Sequence, residues 1–179
     1  MRLFLGIELP NSIKDCLYDI QSNLKNNSLA KVNWDAKKKF HITLKFLGEV
    51  SDDKVEDIKN KLNNIKFHKF KVKLSTLGYF PGGSKINVIW VGITPENKVI
   101  ELQKLIDYET INFSSIKLGS SHITLGRVKF VKHRKQLLDK LNSIKIKEIE
   151  FNLNSFSLFK STLTKDGSVY DVLERYNLV

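Results

Sequence analysis

The chain has 179 residues, 41% of them apolar, and sets 30 Lys and Arg against 19 Asp and Glu for a formal charge of +11. That length suits one compact unit with a sizeable core, and that charge favours a polyanionic partner, nucleic acid first, over a neutral metabolite. The single Cys16 excludes an intramolecular disulfide, no run approaches the ~20 apolar residues that span a bilayer, and the lysines are not gathered opposite one apolar helix face as on a membrane-surface helix.

Leu3, Leu5, Ile7 and Leu9 alternate as a first strand, and the apolar stretch inside it is too short for a signal peptide before Glu8 and Pro10. Ser12 then caps a helix with Ile13, Leu17, Ile20 and Leu24 on one face, beside Cys16. Trp34 precedes a lysine-rich turn and a β-type run over 40–47, ended by Gly48, and Ser51 opens a helix carrying Val55, Ile58, Leu62 and Ile65. Phe70, Val72 and Leu74 alternate with lysines in a half-buried strand, which Pro81-Gly82-Gly83-Ser84 turns back toward the apolar run 88–91. Thr94-Pro95-Glu96 supplies an N-cap and a first-turn proline for a helix with Val99, Leu102, Leu105 and Ile106. A short strand over 122–128 leads to a basic helix with Leu137, Leu138 and Leu141. The alternation of Ile149, Phe151 and Leu153 then breaks at Ser155, predicting a bulge or bend before Phe156 and Leu158. Asp166-Gly167 predicts a tight turn between strands around Phe159 and Tyr170.

One short repeat carries the chemistry: His41-Ile42-Thr43-Leu44 recurs as His122-Ile123-Thr124-Leu125, and the copies split the chain into similar halves. On a strand, residues two apart share a face, so each His aligns with its Thr while the Ile points into an apolar layer. Halves paired about a pseudo-twofold axis bring both imidazoles and both hydroxyls to one cleft. Imidazole takes or gives a proton near neutrality, and cleaving a phosphodiester needs one proton removed and one supplied, so His41 and His122 are the candidate acid and base. The Thr43 and Thr124 hydroxyls suit non-bridging phosphate oxygens, and Lys45, in phase with His41 and Thr43, and Arg127 add positive charge. Two histidines fall short of the three ligands usual for catalytic zinc, so no metal is expected. His68 and His133 sit among cations as solvated surface. The glycine-rich stretch 78–85 ends Ser-Lys where a P-loop needs Lys followed by Ser or Thr, and reads as a turn. Trp34, Phe46, Tyr79 and Phe80 suit base stacking or core packing equally well.

These residues resemble the two-histidine (2H) phosphoesterase superfamily, and within it the RNA 2′,3′-cyclic phosphodiesterases, also called 2′-5′ RNA ligases. The similarity runs from Met1-Arg2-Leu3-Phe4-Leu5-Gly6 and Trp34 through both His-x-Thr copies to Lys160-Ser161-Thr162-Leu163 and Gly167. The resemblance implies an α/β (α+β) fold: a single two-lobed domain over 1–179, two antiparallel sheets flanking a central cleft, helices outside. It implies hydrolysis of 2′,3′-cyclic RNA ends to 2′-phosphomonoesters without metal or cofactor, with His41 donating a proton to the departing 3′ oxygen, His122 activating water, and Arg127 contacting phosphate. The expected partner is RNA with a cyclic phosphate end, tRNA fragments among the candidates, met by a monomer in the cytoplasm and not by a membrane protein. Two departures stand out: Ser121 replaces a frequent proline, and Gly126 a larger apolar residue, which is expected to loosen the strand beside Arg127. Competing readings are 2′-5′ ligation, hydrolysis of 2′-5′ oligonucleotides or another small cyclic phosphate, and a non-catalytic RNA-binding module.

Overall fold

Period-two apolar patterns become strands and period-3.6 patterns become helices over nearly the whole chain. The structure, a computed structural model, describes residues 1–25, 28–82, 85–114, 120–165 and 167–179. In order its elements are β1 (Arg2–Glu8), α1 (Asn11–Lys25), β2 (Ala30–Trp34), β3 (His41–Glu49), α2 (Val55–Asn63), β4 (Phe70–Gly82), β5 (Lys85–Thr94), α3 (Asn97–Thr110), β6 (His122–Val131), α4 (Arg134–Ser143), β7 (Glu150–Leu153), β8 (Ser155–Thr164) and β9 (Gly167–Asn177).

All described strand pairings are antiparallel, in the order β7-β4-β5-β6-β3-β1-β8-β9, with β2 alongside β6. The centre is narrow, because β3 and β6 are paired only at Ile42 and Ile123. The strands thus form one sheet, pinched at this residue pair into two smaller ones, β7-β4-β5-β6 and β3-β1-β8-β9, and the order reads symmetrically outward from it. The chain halves exchange strands: β4 of the first half lies on β5, while β8 and β9 of the second half extend β1. Burial follows the sequence pattern. Ile13, Leu17, Ile20 and Leu24 of α1, and Val99, Leu102 and Ile106 of α3, join Leu3, Leu5, Ile42, Leu44, Ile123 and Leu125 in one core.

Several boundaries differ from the expectations. The helix expected to be capped by Ser12 starts at Asn11, and Pro10 O already accepts from the Ile13 and Lys14 amides. Thr94 cannot cap α3 because it is the last residue of β5, paired with Lys73. Ser51 precedes a 3-10 turn over Asp52–Lys54, so α2 begins only at Val55. Leu105, expected on the apolar face of α3, is 40% exposed. The break at Ser155 is more than a bend. Residues before it pair with β4 and residues after it with β9 and β1, so the chain crosses between the sheets there. The expected turns at 81–84 and 166–167 fall partly outside the described residues. Strand β2 carries only Ala30, Val32 and Trp34 as apolar signal, too little to announce itself.

Gly126, expected to loosen β6, instead lets β2 close on it. A Cβ there would stand 2.8 Å from Val32 Cγ1, 2.9 Å from Trp34 Cε3 and 3.1 Å from the Asn33 carbonyl. Gly126→Ala is therefore expected to cost about 1–3 kcal/mol by overpacking, read as a lower denaturant midpoint. Unchanged stability would show that β2 yields freely.

Candidate active site

Each His-x-Thr-Leu copy ends in a β-bulge. In β3, Gly6 faces Thr43 and Leu5 faces Lys45, leaving Leu44 unpaired; in β6, Trp90 faces Thr124 and Ile89 faces Gly126, leaving Leu125 unpaired. A bulge puts two residues opposite one and reverses the strand's phase beyond it. Beyond the bulge, therefore, Lys45 turns to the core and Phe46 to the cleft, just as Gly126 turns inward and Arg127 outward. Lys45, expected in phase with His41 and Thr43, borders the same cleft but is buried. The Lys45 side chain has no exposed surface, and its Nζ donates to Asp107 Oδ1 at 2.5 Å. Lys45 corresponds to Gly126, and Arg127 to Phe46: both cations border the cleft, but Lys45 is buried and paired with Asp107 while Arg127 is exposed.

Continuing the Ile42–Ile123 register by one residue either way places His41 opposite Thr124 and His122 opposite Thr43. His41, Thr43, His122, Thr124 and Arg127 line one cleft of about 520 Å³, with Phe46 and Phe80 also on its wall. The two imidazoles are held alike. His41 Nδ1 lies 2.6 Å from the Lys39 carbonyl and His122 Nδ1 2.7 Å from that of Ser120, in each case two residues upstream. A carbonyl only accepts, so each Nδ1 carries the proton and each neutral ring keeps its Nε2 lone pair. His41 Nε2 stands 3.0 Å from the Thr43 hydroxyl. Rings brace both histidines: Phe4 and Tyr170 at 5.1 and 5.4 Å from His41, Phe80 at 4.7 Å from His122. Burial among these rings pushes both histidine pKa values down, and the Arg127 guanidinium adds to the effect.

Two buried glutamines fix the bulges from behind, each reaching from one half of the chain into the other half's motif. Gln21 of α1 donates through Nε2 to the Leu125 carbonyl at 3.0 Å and to that of Asp35 at 2.7 Å. Gln103 of α3 donates through Nε2 to the Leu44 carbonyl at 3.0 Å, and its Oε1 accepts from Ser121 Oγ at 3.3 Å. Sequence reasoning missed both; the signal available was a polar residue in line with the apolar face of each helix. It also missed Asp35 and Tyr170, which line the cleft from β2's end and β9. Burial raises the pKa of the Asp35 carboxyl, with Arg127 and Lys39 opposing the rise. His68 and His133 are exposed, Trp34 and Tyr79 pack partly against the core, and no group of three or more His, Cys, Asp or Glu among the described residues could hold a metal ion.

A family model described as LigT-like phosphoesterase matches the chain twice in tandem, over residues 7–90 and 91–170. A Methanocaldococcus jannaschii protein named RNA 2′,3′-cyclic phosphodiesterase is 36% identical over 98% of this chain and 100% of its own length. An Archaeoglobus fulgidus protein of the same name is 30% identical over 95% and 96%. Among solved structures, one from Thermus thermophilus aligns with TM-score 0.80 at 22% identity, covering 99% of this chain and 98% of that one. Apo LigT of E. coli aligns with TM-score 0.79 at 23% identity, covering 99% and 96%. At those identities the two structures speak for the fold.

Because both imidazoles hold a proton less readily folded than unfolded, the unfolded chain binds more protons below the ordinary histidine value of about 6.5. Their contribution to stability is complete above that pH and is lost as pH falls from it through the depressed folded values. Urea midpoints measured from pH 7.5 to 5 should fall on acidification, and less steeply in a His41→Gln/His122→Gln variant; parallel curves would contradict the assignment. Gln103→Leu leaves the Leu44 carbonyl and Ser121 hydroxyl buried without that partner, at a cost of about 1–3 kcal/mol in denaturant unfolding. A wild-type midpoint would show the amide to be dispensable.

Proposed function

The chain belongs to the LigT-like phosphoesterase family, and we propose that within it this protein opens 2′,3′-cyclic phosphate ends of RNA to 2′-phosphomonoesters by proton exchange between His41 and His122. The observation that carries the proposal is the matched tethering of the two rings. Each Nδ1–H is occupied by a backbone carbonyl, so each Nε2 is the nitrogen that can exchange a proton with substrate, that of His41 beside the Thr43 hydroxyl, and both rings lie on the wall of one cleft with Thr43, Thr124 and Arg127.

In the proposed reaction His122 Nε2 takes a proton from water as its oxygen attacks phosphorus. The P–O3′ bond breaks, and the 3′ oxygen takes the proton carried by His41 Nε2. Thr43, Thr124 and Arg127 hold the non-bridging oxygens, and the guanidinium offsets charge building on them. Burial and Arg127 keep both rings neutral without substrate, so the bound phosphodiester's negative charge favours the protonated acid. Each turnover carries one proton from His41 to His122, and solvent exchange resets the pair. Every step uses groups of this chain and water.

RNA as substrate is supported by the names of relatives that match along almost their whole length and by the formal charge of +11. The proposal takes tRNA fragments as one substrate source and the enzyme as a cytoplasmic monomer. No helix among the described residues is long and apolar enough to cross a membrane. It also treats residues 1–179 as one two-lobed domain, since each sheet contains strands from both chain halves.

Single-turnover assays on an oligonucleotide ending in a 2′,3′-cyclic phosphate, with EDTA present, should give a 2′-phosphate product and a bell-shaped pH dependence belonging to the histidine pair. His41→Ala and His122→Ala should each lose at least about 10²-fold in rate. Full activity in either variant would refute the mechanism. Joining of RNA ends, or salt-sensitive binding with no turnover, would identify the ligase or binding-module reading instead.

A further inference from the structure

Beside the histidine cleft, across Arg127, lies a second recess of about 560 Å³, within the ~300–1,000 Å³ range of small-molecule sites. Asp35, Arg127, Ser168 and Tyr170 line both spaces, which therefore adjoin. The recess has three walls: Asn33 and Trp34 of β2, Lys39 of the turn before β3, and the tip of the β8–β9 hairpin with Lys165. Lys39 Nζ stands 3.8 Å from where a Gly167 Cβ would be, so the turn and the hairpin tip approach closely across it. Three cations, Lys39, Arg127 and Lys165, meet one carboxyl there, Asp35. The Trp34 indole offers a ring beside this charge, seated against Gly126. Cationic side chains beside an aromatic surface are the combination that holds a single-stranded polynucleotide without reading its sequence.

We propose that this recess binds the second nucleotide of the RNA, the one 5′ to the residue bearing the cyclic phosphate, with Lys165 and Lys39 on its phosphodiester and Trp34 beside its base. The inference rests on the phosphodiesterase reading and names the substrate class more closely: an oligonucleotide end and not a cyclic mononucleotide. Direction follows from chemistry. A cyclic phosphate closes the 3′ end, so the substrate can extend only on its 5′ side, and the space adjoining the histidine cleft receives that extension.

The test compares a nucleoside 2′,3′-cyclic phosphate with a dinucleotide ending in the same cyclic nucleotide. The wild type should favour the dinucleotide at least tenfold in kcat/KM, mostly through KM, with the advantage shrinking as salt rises. Lys165→Glu should remove most of that advantage and leave mononucleotide kinetics within twofold, and Lys165→Arg should restore it. Equal kcat/KM for the two substrates in the wild type, or an equal loss on both in Lys165→Glu, would overturn the inference. Calorimetric binding of the matching nucleoside and dinucleoside 2′-phosphates asks the same question without turnover. Tighter dinucleotide binding that Lys165→Glu abolishes supports the recess, and equal affinities overturn it. Such binding with no hydrolysis of either substrate would sink the phosphodiesterase reading and leave the recess standing.

Discussion

One antiparallel contact, Ile42 against Ile123, holds the two halves of the site in register. Both side chains are fully buried, so the apolar layer beneath the cleft fixes which residues face each other above it. Strand side chains alternate with period two, so a slip of one residue at this contact would move a histidine and its threonine from the cleft into the core. Beyond this pair the two sheets part, and the parting leaves the cleft.

The bulges at Leu44 and Leu125 do the second half of the work. Each keeps its Leu buried and then reverses the strand's phase, which is why Phe46 and Arg127 are exposed while their predecessors are buried. A bulge leaves backbone groups outside the ladder, and a buried carbonyl without a donor is costly. Gln21 and Gln103 supply those donors to Leu125 and Leu44 from helices that belong to the opposite chain halves. The geometry of the cleft is thereby tied to the same core that stabilises the fold.

The electrostatics are asymmetric although the backbone is nearly symmetric. The buried Lys45 is paired with the partly exposed Asp107, whereas Arg127 stays exposed between the histidine cleft and the adjoining recess. One guanidinium therefore lines both spaces, and its charge lowers the proton affinity of both histidines. An aromatic wall on each side, Phe4 with Tyr170 and Phe80 with Trp90, confines the rings in which the proton exchange is proposed to occur.

The sequence by itself determined the helices, most strands, the apolar layer, and the pairing of His41 with Thr43 and of His122 with Thr124. All of these follow from local periodicity and from a repeated tetrapeptide. It could not determine the bulges, because an extra residue in a ladder is defined by the partner strand; the burial of Lys45 and its pairing with Asp107 were accordingly not legible. Nor could it place Gln21, Gln103, Asp35 and Tyr170, whose roles come from contacts between residues far apart in the chain, nor β2, whose few apolar residues gain meaning only beside Gly126. The exchange of β4 and β8 between the halves was likewise decided by tertiary structure, since antiparallel pairing energy depends on which edge is free and not on which strand precedes it.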